Sequence, residues 1–324
     1  MQNRTNTKTF GIIITLIAGI CWGFSGACGQ FLFDYKGVTS NWLVPIRLML
    51  AGTMILVFLF VKSPGQVIAP WKNKRDAAEF LIFSFFGMTL CQYSYFMAIQ
   101  HSNAGVATVL QYTGPALILI YVCLRARRKP RIYETGALIL SLSGTFILAT
   151  HGDVTTMALS DAALFWGVMA AITLAVYSVQ PERIIHKYGS LLPVGWAMFL
   201  GGIVMNATFR PWTAKGIIID LETVLALLGV VLFGTILAFS LYLKGMQLIG
   251  ATDAAMISCV EPVAAVFFAV MWLGETFMPI DFLGMALTIG AVLVISFFKD
   301  SERKEEGADD EGAETVERVL QKIE

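Results

Sequence analysis

The chain has 324 residues, of which 56% are hydrophobic and 14% charged, and its formal net charge is zero. A soluble domain covers itself with charged side chains at about a quarter of its positions, so most of this surface must face something other than water. A water-soluble globular protein is excluded, and no nucleic-acid partner is expected.

Ten apolar runs follow one another, at 10–33, 42–61, 77–98, 104–124, 132–149, 161–180, 191–209, 223–243, 252–273 and 279–298. Each is close to the ~20 residues that cross a hydrocarbon core of ~30 Å as a helix. The connections are short, with Ser102-Asn103 before the fourth run and Gly250, Thr252 and Asp253 before the ninth as turn and cap residues. The pattern predicts an all-α integral membrane protein of ten transmembrane helices. Lys and Arg fix its orientation. With the N-terminus (residues 1–9) in the cytoplasm, Arg4, Lys8, Lys62, Lys72, Lys74, Arg75, Arg125, Arg127, Arg128, Lys129, Arg131, Arg183, Lys187, Lys244, Lys299, Arg303 and Lys304 fall inside. Only Lys36, Arg210 and Lys215 fall outside, so both termini are placed in the cytoplasm.

The two halves, 10–150 and 161–298, hold five runs each and resemble one another. Gly87, Leu90, Tyr95, Gln100, Ala104, Ala107 and Pro115 align at a constant offset with Gly234, Leu237, Tyr242, Gln247, Ala251, Ala254 and Pro262, and Trp22-Gly23 matches Trp166-Gly167. Five passes per copy insert the second copy upside-down. Inverted repeats of this kind give transporters their inward- and outward-open states. Residues 299–324 are acidic and polar and are expected to be a disordered cytoplasmic tail.

Function is concentrated where the fourth and ninth helices carry Pro115 and Pro262, the two expected hinges. Each proline removes a donor from the helical ladder, freeing the carbonyls of Gln111 and Ser258. Glu261 stands beside the second, about nine residues into its helix and so roughly 13 Å deep at 1.5 Å per residue. An acid there costs on the order of 2.5–3.5 kcal/mol and is a functional candidate by default. It can read a substrate ammonium or carry a proton, and the residues leave both open; its position in the first copy is Gly114. The substrate-binding candidates are Trp22, Gly26, Gln92, Tyr95, Gln111, Trp166, Tyr177, Tyr242, Ser258 and Glu261. Arg47, some five residues into the second helix, is expected to snorkel outward in a structural role. Glu275 and Asp281 are expected to be solvated, and Gly19 and Gly23 to bring two helices close.

An enzyme is not expected. His101, His151 and His186 all fall in or beside loops, and no metal-spaced Cys or His set, Walker loop or Gly-x-Ser-x-Gly occurs. No cofactor and no metal is expected. The five cysteines all fall inside apolar runs and read as small buried hydrophobes. A channel would show a pore loop or charged rings. A membrane sensor or scaffold without flux is the alternative from another class.

Ten spans in two repeats, the paired Trp-Gly, the prolines of the fourth and ninth helices and the run Cys259-Val-Glu261-Pro262-Val263…Trp272-Leu-Gly-Glu275 resemble the EamA-type transporters of the drug/metabolite transporter superfamily. Arg47 in Pro-Ile-Arg-Leu is similar to that family's second-helix arginine. The first copy departs from the pattern, with Arg125-Ala-Arg127-Arg128 in place of Trp-Leu-Gly-Glu. The resemblance implies a helical basket around a central cavity lined by helices 1, 3, 4, 6, 8 and 9. It also implies a multi-pass protein of the plasma (inner) membrane that exports a small organic molecule, an amino acid, related metabolite or amphipathic drug, by alternating access. Uptake or exchange is the alternative direction. The expected partners are the substrate and the lipid bilayer, in a monomer or homodimer; proton coupling through Glu261 and facilitated diffusion are both open.

Overall fold

A computed structural model describes residues 2–125, 127–150, 159–249, 254, 257, 258, 260–294 and 298. The described residues are helical with no strand. The principal helices are α1 (Gln2–Lys36), α2 (Ser40–Lys62), α3 (Lys74–His101), α4 (Ala104–Arg125), α5 (Ile132–Thr150), α6 (Asp161–Val179), α7 (Leu191–Phe209), α8 (Leu221–Met246), α9 (Val260–Met271) and α10 (Pro279–Val294). Among the described residues seven helices are long and apolar enough to cross a membrane, and α5, α9 and α10 contribute shorter apolar stretches. The tail beyond Lys299, His151, Cys259 and the turn at Gly250, Thr252 and Asp253 lie outside the described residues.

Local chemistry sets the helix starts. Asn73, Asn103, Ser160 and Asp220 each accept a backbone N–H of the first turn through the side chain, satisfying donors that no intrahelical carbonyl reaches. At the other end of α9, Gly274 adopts φ 74° and the Glu275 N–H reaches back to the Ala269 carbonyl. Glycine meets that left-handed requirement without strain. The Leu-Gly-Glu run is therefore a helix stop that also aims the glutamate.

The helices meet where small residues let backbones approach, as in other membrane bundles. A side chain at Gly52 of α2 would strike the backbone of Phe199 on α7, and one at Gly202 would lie 2.6 Å from the Met49 nitrogen. The repeat-matched glycines behave alike. A Cβ on Gly23 of α1 would lie 2.7 Å from the Ala264 Cβ and the Ala265 nitrogen of α9, while Gly167 of α6 abuts Leu110 of α4. Each half thus seats the glycine of its first helix against the proline-bearing helix of the other half. Gly114, which stands where α9 has Glu261, faces α6, with Leu174 at 3.0 Å and the Ala171 carbonyl at 3.1 Å from its would-be Cβ. An acid at that position would have to push Leu174 aside and ease α4 away from α6.

Three departures from regular helix concern the interior. α4 is interrupted at Tyr112 and Thr113, just ahead of Pro115. α3 and α8 each pass through a π-helical stretch, Phe83–Thr89 and Gly229–Leu237, at matching places in the two halves. Such stretches rotate the following turns and recur at functional sites. Large apolar side chains such as Val61, Leu142 and Met271 point outward, the surface expected of a lipid-facing bundle.

Candidate functional site

A cavity of about 510 Å³ lies between the helices. α1 contributes Trp22 and Ser25; α2 contributes Arg47; α3 contributes Cys91, Gln92 and Tyr95; α4 contributes Gln111 and Tyr112. Tyr177 comes from α6, Tyr242 from α8, Ser258 and Glu261 from the α9 region and Val292 from α10. The cavity runs from Arg47 toward Ser178, Ile185 and Ser190, where α6 ends and α7 begins.

Two formal charges face it. Arg47 is 4% exposed. Its Nη1 donates to the Gln92 Oε1 at 2.8 Å, its Nε donates to the Thr235 Oγ1 at 3.2 Å, and its guanidinium lies 4.8 Å from the centre of the Phe96 ring. Thr235 belongs to the π-helical stretch, where its hydroxyl also bonds the Val230 carbonyl five residues back. Glu261 has a tyrosine as its partner: the Tyr112 hydroxyl lies 3.1 Å from its Oε2 and 3.0 Å from the Ser258 carbonyl. The carbonyl that Pro262 frees is thus met by Tyr112. Among the described residues no acid pairs with Arg47 and no base with Glu261. A buried charge normally finds a counter-ion. Here a cation and an acid share one cavity and each bonds only neutral groups.

Aromatic rings form the walls. The Trp22 ring stands 5.2 Å from Tyr242 and 5.3 Å from Phe239, and Tyr177 stacks on Phe83 at 5.4 Å. Tyr95 is fixed by the Thr108 hydroxyl at 2.8 Å. Eight of the sequence candidates, Trp22, Gln92, Tyr95, Gln111, Tyr177, Tyr242, Ser258 and Glu261, line the cavity together. Two stand apart. Trp166 packs edge-on against Tyr93 and Phe165, near the start of α6. Gly26 lies behind Tyr95, whose hydroxyl would be 2.8 Å from an added Cβ, so it makes room for that ring. Among the described residues no group of three His, Cys, Asp or Glu side chains could hold a metal.

The EamA-like transporter family matches the chain twice, over residues 9–150 and 161–297. The chain belongs to the EamA-like transporter family. It is similar to an uncharacterized inner membrane transporter of Salmonella typhimurium, YicL, at 38% identity over 301 residues, 92% of this chain and 98% of that one. It is also similar to the threonine/homoserine exporter RhtA of Escherichia coli K12, at 26% identity over 305 residues, 91% and 94% of the two chains. One solved crystal structure superposes with a TM-score of 0.62 over 89% of this chain and 96% of that one; at 15% identity it speaks for the fold alone. The chain is a multi-pass membrane transporter.

The structure corrects two expectations about charged residues of this EamA-like transporter. Arg47 turns into the bundle rather than toward the surface, because Gln92 and Thr235 offer acceptors there. Glu275 and Asp281 are not simply solvated. Glu275 accepts from Gln30 at 2.6 Å and from Asn103 at 3.4 Å, and Gln30 in turn accepts the Ala104 N–H at 2.9 Å. Asp281 is 2% exposed and accepts the Met278 N–H at 2.8 Å. The Glu275 cluster ties α1, the start of α4 and the end of α9 together, with Trp272 stacked on Phe31 beside it. It lies at the end of α1 opposite to the one the cavity approaches. There the α3–α4 and α9–α10 turns are drawn together. At the other end Asp76 bonds Arg183, Lys187 and Tyr188 and joins α3 to the short helix Glu182–Tyr188.

Sequence reasoning passed over Tyr112. Extending a regular helix through Gln111 places Tyr112 off the face shared by Ala107, Gln111 and Gly114. The interruption at Tyr112 itself alters that register, and the proline three positions later is its one sequence sign.

Proposed function

We propose that this protein exports a small zwitterionic organic solute, an amino acid or close relative, by alternating access. The observation that carries the reading is the unpaired charges: Arg47 and Glu261 in one aromatic-walled cavity, each bonded only to neutral groups. A solute bearing both a carboxylate and an ammonium supplies the missing partner to each. The Arg47 fork suits a carboxylate, and Glu261 suits the ammonium or, between cycles, a proton.

In this reading ten spans form two inverted five-helix repeats with both termini in the cytoplasm. The double family match supports it, as do the paired π-helical stretches and the reciprocal seating of Gly23 and Gly167. The excess of Lys and Arg at one end makes the end the cavity approaches cytoplasmic. The Glu275 cluster then closes the outer end, so the arrangement is one that loads from inside. Export also accords with the name of the Escherichia coli relative. Pro115 and Pro262 mark the helices that move.

The test is counterflow in proteoliposomes with a panel of neutral amino acids and amphipathic cations, with and without a pH gradient. Neutral amino acids are expected to exchange, and Glu261→Gln to abolish the response to the gradient while leaving a folded protein. No flux of any amino acid, or an unaltered pH response in Glu261→Gln, contradicts the proposal.

A further inference from the structure

Tyr112 occupies the break in α4, and its hydroxyl touches two atoms of the α9 region. A hydroxyl has one proton to give and lone pairs to receive. The Ser258 carbonyl, 3.0 Å away, can only accept, and it lacks the N–H that Pro262 does not carry. The Glu261 oxygen, 3.1 Å away, accepts when ionised and donates when protonated. Both contacts are hydrogen bonds at once only when Glu261 is neutral: its O–H gives to Tyr112, and Tyr112 gives to Ser258. When Glu261 is ionised, two acceptors face one proton. The carboxylate takes it, because a hydrogen bond to an ion is roughly twice as strong as a neutral one, and the Ser258 carbonyl loses the hydroxyl.

We infer that Tyr112 is a positioning residue that converts the charge state of Glu261 into the attachment of α4 to α9. With a neutral acid the interrupted helix and the proline helix are tied by a two-bond chain through one phenol. With an ionised acid the tie through the phenol is cut to a single bond, which loosens the hold of α4 on the start of the proline helix. The inference rests on the reading of Glu261 as the acid that exchanges a proton for the solute ammonium. It adds how that exchange is felt by the backbone. The other titratable groups facing the pair are Arg47 from α2, Cys91 and Tyr95 from α3, Tyr177 from α6 and Tyr242 from α8. Among the described lining residues, α1, α7 and α10 bring none. Glu261 is bonded to Tyr112 at 3.1 Å, so its proton is one the phenol reads directly.

The experiment needs no substrate. Spin labels are placed on the full chain at Leu124→Cys of α4 and Phe267→Cys of α9, both on exposed positions, with the five native cysteines replaced by alanine. Distances are measured by electron–electron resonance in nanodiscs at acidic and alkaline pH. The unmodified pair is expected to give one narrow distribution in acid and a shifted or broadened one in alkali. Glu261→Gln, whose amide donates as the neutral acid does, should hold the acid distribution at both. Tyr112→Phe, which keeps the ring and loses the hydroxyl, should give the alkaline distribution at both. A Tyr112→Phe protein that titrates like the parent, or a parent whose distances ignore pH, overturns the inference. Unfolding midpoints of the variants, matched to the parent, exclude a folding defect as the source. Failure of the proposed function is separate: it shows as absent amino-acid counterflow, whatever the labels do.

Discussion

Lys36 ends α1 between two acids, bonding Asp220 at 2.7 Å and Glu222 of the α8 start. Asp220 also caps α8 by accepting the Thr223 N–H at 2.9 Å. The Lys36 bond, with help from Thr223, holds the Asp220 carboxyl down to about 2, against ~3.9 for an ordinary aspartate. A depressed carboxylate stabilises the fold above its unfolded value and stops doing so as the pH falls through its folded value. Asp220→Asn keeps the cap and removes the charge, so it isolates this effect. The thermal unfolding midpoint of the parent should exceed that of the variant by a small, constant margin from neutral pH down to about 4, and the margin should vanish near 2. The margin stays small because the Asp220 side chain is itself open to solvent, although Lys36 is buried. A margin that widens on acidification contradicts the assignment. Single residues were the least legible scale in the sequence. Glu261 stands out because an acid amid apolar residues is costly wherever it points. Arg47 does not, because a long side chain near a helix end can reach water or interior equally well, and only Gln92 and Thr235, on two other helices, settle which.

α1 lies against α9 through Gly23, and the nearest atoms to an added Cβ there include the Ala265 nitrogen at 2.7 Å and the Glu261 carbonyl at 2.9 Å. Backbone atoms cannot rotate away as a side chain can. Overpacking of this kind costs about 1–3 kcal/mol, and Gly23→Val should sit at the upper end because the helices themselves must part. The matched control is Gly136→Ala on α5, where nothing lies within 4 Å of the added carbon. It should leave stability unchanged or raise it by up to about 1 kcal/mol through helix propensity. Thermal unfolding in detergent reads both, and a Gly23→Val protein as stable as the parent would show that α1 and α9 are not held at this distance. Helices and their caps could be read from the chain, since hydropathy, Asn103 and the prolines are local marks. The π-helical stretches could not. An extra residue in a turn leaves the apolar pattern intact and is stabilised by contacts from elsewhere, such as Ser25 against Gly234.

At the scale of the whole molecule, the halves exchange partners: the first helix of each lies on the interrupted or proline-bearing helix of the other. Its consequence for the cavity is that neither half encloses it alone, with Arg47 and Tyr112 coming from one and Tyr242 and Glu261 from the other. The duplication was visible in the paired Trp-Gly and Pro positions, while the cavity's contents were visible only in part. The copies differ at Gly114, where α4 lies close to α6, whereas the matching position on α9 carries Glu261 facing the cavity. A site with one acid and one arginine from opposite halves is suited to a solute that carries both charges.

Counterflow with a headgroup series tests that claim most directly. A neutral amino acid, its methyl ester and its N-acetyl derivative share one side chain but differ in which charges they keep. The intact zwitterion should exchange at least tenfold faster than either derivative, the loss of one ion-assisted bond costing about 1.5–3 kcal/mol. In Arg47→Gln the zwitterion should fall to the rate of its ester, and in Glu261→Gln to that of its N-acetyl form. Equal exchange of all three compounds, or an Arg47→Gln protein that still prefers the free carboxylate, would contradict the account.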